Sequence, residues 1–279
     1  MTLDVSAPVT QSPLGGRVAR ADVITRAAEI VRSYDTPITL RQLFYRLVAA
    51  LLIPASPRAY KHLAVLTLQA RRAGQFPALI TRTQPLARPR PFDSPGAARE
   101  WLAQIYRRDR TEGQEVSVYL GTEKAGLVQQ LNGWFGALGI PVLPLGGHVS
   151  RTVIDEVARE VRDQGRPAVL IYASDCAANG EDIDRHFVTR ATCFEGTERV
   201  ALTAEQVVKY DLPPVPYQAT DPRASEFLSR HRRLVQVELD ALPPEVLRAL
   251  YQSAIDRYWD TSAYQVVMER ERDERTGLT

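Results

Sequence analysis

The sequence predicts an α/β chain in two parts: a mostly helical, winged-helix front part and a following α/β part with a mostly parallel sheet. Three observations predict it. Apolar residues recur at three-and-four spacing in three successive segments ahead of Gly74, strand-like and helix-like segments alternate after Glu115, and a proline-rich stretch divides the two.

Residues 1–18, which open MTLDVSAPVTQSPLGG, are neither basic nor apolar enough for a signal peptide and read as a flexible tail. A first helix spans Ala19 to Tyr34, with Val23, Ile24, Ala27, Ile30 and Val31 on one side; Asp35, Thr36 and Pro37 end it. The second, TLRQLFYRLVAAL from Thr39 to Leu51, carries Leu40, Leu43, Phe44, Leu47, Val48 and Leu51 as one apolar stripe. After a turn at Ile53 to Pro57, a third helix is capped at Ser56, runs to about Ala73 and is closed by Gly74. Three such helices followed by the arginine-bearing extended segment ALITRTQPLARPRPF fit a winged-helix domain over residues 19–90. In that arrangement Arg58, Lys61, Arg71 and Arg72 of the third helix face phosphates, or are simply solvated charges.

The stretch PLARPRPFDSPG, with four prolines in twelve residues, marks the domain boundary, and Ala97 to Arg108 reads as a linking helix. Beyond it VSVYL, PVLPL, PAVLIYA and RVAL read as strands, while GLVQQLNGWFGAL, RTVIDEVAREVRDQ and EDIDRHFVTRA read as helices between them. This α/β part covers residues 91–270, and its site belongs at the carboxyl ends of the strands. The last residues, 271–279, lie in the charged string MERERDERTGLT and read as frayed.

The net charge of +2 hides an asymmetry: residues 1–110 hold 17 Lys and Arg against 7 Asp and Glu, and residues 111–279 hold 18 against 26. A basic front and an acidic back predict a polyanion-binding part joined to a carboxylate site, against the alternative of mixed solvated faces. Cys176 and Cys193 are too few for a disulfide framework and lack zinc spacing, so a reducing cytoplasm is the expected compartment, and no apolar run predicts a membrane span.

Tyr45 lies off the apolar stripe, four residues after Arg41, so the phenol and the guanidinium share a helical face. A tyrosine hydroxyl beside an arginine can attack a phosphodiester; an aromatic at a helix edge is the alternative. Glu123 follows the first strand of the α/β part in YLGTEK, and Asp175 follows the buried strand in LIYASDCAANGEDI. Two carboxylates at converging strand ends suit Mg²⁺, or Mn²⁺, which takes one or two carboxylates together with water and phosphate. Lys124 contacts a phosphate or pairs with Glu123; His148 approaches DNA or is structural. Cys176 reads as a small residue at the core edge, and Glu238 and Asp240 in VELDALPP as shaping the outer sheet or the DNA path and not as metal ligands.

The string R-Q-L-F-Y, Arg41 to Tyr45, resembles the R-x-x-Y-Y signature of the A subunit of topoisomerase VI and its meiotic double-strand-break relatives, with Phe44 replacing the first tyrosine. The second part resembles a Toprim domain, a Rossmann-like metal-binding module: Glu123 matches its glutamate, Asp175 the first residue of its Asp-x-Asp, and Asn179-Gly180 the following turn, while Ala177 stands where the second aspartate belongs. RVALTAEQVVKYDLPPVP, ATDPRA and VELDALPPEVLRALYQSAID extend the likeness to single-chain topoisomerase mini-A proteins of bacteria, phages and mobile elements. The resemblance implies Mg²⁺-assisted transesterification in which Tyr45 attacks a phosphate of double-stranded DNA, forms a 5′-phosphotyrosyl link and releases a 3′ hydroxyl. Arg41 stabilises the phosphate, Glu123 and Asp175 hold the metal, and Glu181, Asp182 or Asp184 either make up for Ala177 or serve the helix dipole. It further implies a homodimer in which the tyrosine of one subunit works with the metal site of the other. No Gly-rich phosphate loop is evident, so strand passage calls for a separate ATPase subunit. Two other readings stay open: a DNA-binding protein of this fold that has lost cleavage through Ala177, and a metal nuclease that uses water in place of Tyr45.

Overall fold

The computed structural model describes residues 10–11, 17–18, 20–80, 90–146, 151–177, 187, 192–214 and 236–278. Within the segment expected to be a tail, β1 (Thr10–Gln11) pairs antiparallel with β2 (Arg17–Val18). Three helices follow, α1 (Arg20–Ser33), α2 (Leu40–Ala49) and α3 (Pro57–Arg72). Their apolar stripes meet in one core that buries Val23, Ala27, Val31, Leu43, Phe44, Leu47 and Leu63. Thr39 caps α2 reciprocally with Gln42, and Ser56 caps α3 by accepting from the Ala59 N–H at 3.2 Å. Leu51, expected on the buried stripe, lies beyond the end of α2 at φ 56° and is 46 % exposed. The helix stops two residues sooner than the apolar period, because a left-handed residue cannot continue it. The arginine-bearing wing falls largely on residues outside the described set, but its first strand-like residue, Ile80, makes a parallel bridge to Thr39.

After α4 (Pro95–Ile105), a four-stranded sheet is built from β3 (Ser117–Thr122), β4 (Val142–Pro144), β5 (Ala168–Ala173) and β6 (Gly196–Ala201). Every pairing is parallel and the order is β4-β3-β5-β6. Strand alternation sends Val118, Leu120, Val169 and Ile171 to one face, where α5 (Ala125–Phe135) and α8 (Pro244–Ile255) cover them through Leu131, Phe135, Leu247 and Tyr251. Tyr119, Leu170 and Tyr172 point to the other face and pack on α6 (Arg151–Gln164) through Ile154, Val157 and Val161. A short α7 (Ala204–Lys209) follows β6, and α9 (Thr261–Thr276) closes the described chain.

The chain is therefore α/β, with N-terminal helices ahead of an all-parallel, Rossmann-like sheet. From β3 it steps to β4 on one side and then to β5 on the other, so the strand order reverses between β3 and β5. Crevices for ligands open at such a reversal, beyond the carboxyl ends of the strands. Gly146 narrows that edge: a Cβ there would stand 1.9 Å from the Glu123 carbonyl oxygen, so only glycine lets the loop after β4 pass.

The charged C-terminal string forms the last turns of α9, which run to Thr276. Glu271 is 1 % exposed and accepts from the Arg108 N–H at 3.1 Å, from Arg110 at 2.7 and 2.9 Å and from Arg275 at 2.6 Å. Residues 271–279, expected to fray, include the carboxylate that ties the helix to the segment after α4. Among the described residues no helix is long and apolar enough to cross a membrane.

Candidate active site

Glu123 and Asp175 follow β3 and β5, the two strands at the reversal, and the Asp175 N–H donates to Glu123 Oε2 at 2.9 Å. An isolated antiparallel bridge between Cys176 and Val237 then brings a distant segment to this edge, with two backbone hydrogen bonds of 3.0 Å. The bridge places Glu238 beside Asp175, and the Leu239 N–H donates to Asp175 Oδ1 at 2.8 Å. Cys176 is buried at the core edge, as expected, and Ala177 is buried with no side-chain donor to offer.

From the other side α2 docks on the 3₁₀ turn Leu239–Ala241, and the Arg46 guanidinium donates to the Ala241 carbonyl at 2.8 Å. Gln42 donates to Gln130 of α5 at 2.9 Å in the same interface. This docking carries the exposed face of α2 to the carboxylates. Tyr45 Oη donates to Glu238 Oε1 at 3.0 Å, and the Arg41 guanidinium holds both Glu238 oxygens at 3.0 and 2.9 Å while lying 5.2 Å from the Tyr45 ring centroid. Lys124 does not pair with Glu123; its ammonium lies between Asp175 and Glu238 and donates to both. Tyr45, Arg41, Glu123 and Asp175, separated by up to 134 positions in the sequence, thus lie around one cluster.

Glu238 and Asp240, expected to shape the outer sheet or the DNA path and not to bind metal, are 4 % and 6 % exposed and belong to the cluster. Alternation in VELDAL points the acids to solvent, so no local signal marks their burial; carboxylates are buried only with partners or for a purpose.

The electrostatics follow from burial and from how many cations each carboxylate meets. Burial raises Glu238, but Lys124 and Arg41 together outweigh it and hold this carboxyl below its usual range. Asp175 has burial against it and Lys124 and the Leu239 N–H for it, with Glu123 and Glu238 nearby, and is pushed up to about 7. Asp240 is raised to about 6, first by burial. Burial, then Glu238, raises Tyr45 to about 12 against the lowering influence of Arg41. Burial opposes the charges on Lys124 and Arg41, and their carboxylate partners more than offset it, so both stay cationic.

The donor set does not fit the expected divalent ion in this arrangement. Both Asp175 oxygens and both Glu238 oxygens already accept from N–H, O–H or ammonium donors, and Ala177 contributes nothing. Asp240 Oδ1 is buried without a partner among the described residues, but a hard cation needs several such oxygens. Among the described residues no group of three or more His, Cys, Asp or Glu side chains converges to hold a metal.

Of the expected phosphate contacts on α3, Arg58, Lys61 and Arg72 are exposed and follow one helical stripe that also exposes Val65 and Leu68, whereas Arg71 is partly buried off that stripe. They do not join the cluster. The wing arginines Arg82 and Arg88, His148, Asn179, Gly180, Glu181, Asp182, Asp184 and the string ATDPRA lie outside the described residues. Comparison with protein-family models and with curated proteins found no match for this chain, which leaves the cluster's own chemistry as the guide to what it does.

Proposed function

We propose that this chain binds double-stranded DNA through the basic face of its N-terminal helices and cleaves it by transesterification at Tyr45, leaving a 5′-phosphotyrosyl link and a free 3′ hydroxyl. One observation carries the reading: the Tyr45 hydroxyl is held at 3.0 Å from a buried carboxylate in a cluster that also contains two cations, at the strand-order reversal of a parallel sheet. A tyrosine kept only for packing has no need of that company.

Arg41 is 46 % exposed on its side chain, so a phosphate can reach its guanidinium while the other side holds Glu238. It and Lys124 supply positive charge where a phosphodiester develops negative charge in the transition state. The resemblance to topoisomerase VI A subunits and to Toprim modules supports this reading, and a homodimer on duplex DNA with a separate ATP-hydrolysing partner for strand passage belongs to the same proposal.

A second reading, binding without cleavage, is favoured by Ala177 and by the double occupation of Glu238, which ties up both the Tyr45 hydroxyl and the Arg41 guanidinium. Supercoiled plasmid separates the two. The purified chain is incubated with plasmid in Mg²⁺, in Mn²⁺ and in chelator, stopped with denaturant, and resolved with and without protease digestion. Nicked or linear DNA bearing protein on its 5′ ends, lost in Tyr45→Phe, is expected. Salt-sensitive binding with no adduct in any condition refutes cleavage by this chain, and cutting that survives Tyr45→Phe identifies a nuclease that uses water.

A further inference from the structure

We propose that Glu238 is the proton acceptor for Tyr45, and that nucleophile and acceptor work within one and the same chain. The proposal rests on the transesterification reading above. Three observations converge on it. The Tyr45 hydroxyl points its proton at Glu238 Oε1 across 3.0 Å, within the range a general base requires. Glu238 is held in a single orientation, with both oxygens fixed by Arg41 and its backbone anchored one residue away by the Val237–Cys176 bridge. Lys124 contacts the opposite oxygen, Oε2, so the carboxylate lies between a proton donor on one side and an ammonium on the other.

With solvent water closing the proton balance, each bond broken has a partner. As Tyr45 Oη bonds to phosphorus, its O–H bond breaks and the proton passes to Glu238 Oε1. The bond from phosphorus to the 3′ oxygen breaks, and that oxygen takes a proton from solvent water. Glu238 then gives its proton to the hydroxide left behind, so no proton is gained or lost overall. Rejoining runs the same relay backwards. A phenol is protonated at neutral pH and burial raises Tyr45 further, so the attack needs an acceptor in place.

The geometry also fixes which chain supplies the acceptor. Tyr45 and Glu238 are brought together by α2 docking on the 239–241 turn of its own chain, so the relay is complete without a residue from a second copy. The arrangement expected of the resembling enzymes, tyrosine from one subunit and acid cluster from the other, predicts the opposite result in mixed assemblies.

The test measures rates of adduct formation on labelled duplex DNA across a range of pH for the wild-type chain, Glu238→Gln and Glu238→Asp, with Glu238→Gln checked for fold by circular dichroism. Glu238→Gln is expected to be slower by roughly 10²- to 10⁴-fold, and its residual rate to climb about tenfold per pH unit as hydroxide takes over the proton. Glu238→Asp is expected to recover part of the rate. Co-expressed Tyr45→Phe and Glu238→Gln chains, each broken at a different step, are expected to form no more adduct than Glu238→Gln alone. Adduct formation by Glu238→Gln at close to the wild-type rate, a residual rate with the wild-type pH profile, or restoration in the mixed chains overturns the proposal while leaving transesterification intact. Should Glu238→Gln fail to fold, Glu238→Asp decides: a loss of tenfold or more supports the relay and an unchanged rate overturns it. A wild-type chain that forms no adduct overturns the transesterification reading itself, and the relay with it.

Discussion

Replacing Asp240 by asparagine is expected to stabilise the protein above neutral pH and to leave it unchanged in acid. Asp240 is 6 % exposed, its Oδ1 has no partner among the described residues, and burial raises its carboxyl from 3.8 to about 6 in spite of Lys124 and Arg41. The folded chain therefore binds this proton more tightly than the unfolded chain does. Between about pH 4 and pH 6 the folded state holds the extra proton, so stability falls as pH rises through that window and is level on either side of it. Once the group is ionised in both states the accumulated loss is about 3 kcal/mol, at 1.36 kcal/mol for each pH unit between the two pKa values. Asparagine has the same shape and no charge to lose water, so Asp240→Asn removes this loss. With an unfolding entropy of about 2.1 cal/mol/K per residue over 279 residues, the variant should melt about 5 °C above the wild type at pH 8 and together with it near pH 4. Paired thermal melts across that range isolate Asp240, because contributions from Asp175 are common to both proteins. A Tm difference that does not change with pH, or a variant less stable than wild type at pH 8, refutes the reasoning.

Glu271→Ala is expected to cost about 3–5 kcal/mol, read as a fall in the urea midpoint with the slope unchanged, because it strands the Arg110 guanidinium, whose side chain is 9 % exposed, without its carboxylate. Single alanine replacements of Arg58, Lys61 and Arg72 should each lower the slope of log Kd against log salt for duplex DNA by about 0.9, while Arg71→Ala, off the exposed stripe, changes it less; four equal effects would refute the assignment of that face. Lys124→Met keeps the apolar stem but opens the space between Asp175 and Glu238 to a divalent ion, so Mg²⁺ at about ten times its Kd should add about 1.4 kcal/mol to the variant in a thermal shift. The wild type should gain no more from Mg²⁺ than from sodium chloride of equal ionic strength; an equal gain in the wild type would show that the ammonium does not hold that place.

What the sequence made legible was local. Four-residue spacing put Arg41 and Tyr45 on one face of α2, and the guanidinium lies over the ring. Serine and glycine bounded α3, and continuous apolar runs marked the parallel strands, because a strand buried on both faces has no polar period to show. The unread part was a matter of distance along the chain. Nothing near Glu238 tells that a bridge from Val237 to Cys176 will deliver it to Asp175, or that α2 will dock on the following turn. The charged end of α9 misled for a related reason: composition counts charges, whereas burial of Glu271 depends on the Arg110 guanidinium and the Arg108 N–H arriving from elsewhere, with Arg275 one turn along the same helix.

The charge of the cluster explains why its carboxyls behave so differently. Glu123, Asp175, Glu238 and Asp240 face two cations, Lys124 and Arg41, so full ionisation would leave the crevice with a net negative charge that a DNA phosphate would have to approach. A protein can relieve such an excess by binding a metal or by keeping protons, and the donors here are arranged for the second. Glu238 takes both cations and stays ionised, while Asp175 and Asp240, with less compensation, are the groups that hold protons toward neutral pH. The carboxylate whose ionised form both cations favour is also the one that meets the Tyr45 hydroxyl. Stabilising the charge on Glu238 makes it a weaker base, yet it also guarantees that the acceptor is empty when Tyr45 must give up its proton. General-base efficiency is greatest when the base titrates near the working pH, so what Glu238 lacks in basicity its fixed position 3.0 Å from Tyr45 Oη has to supply.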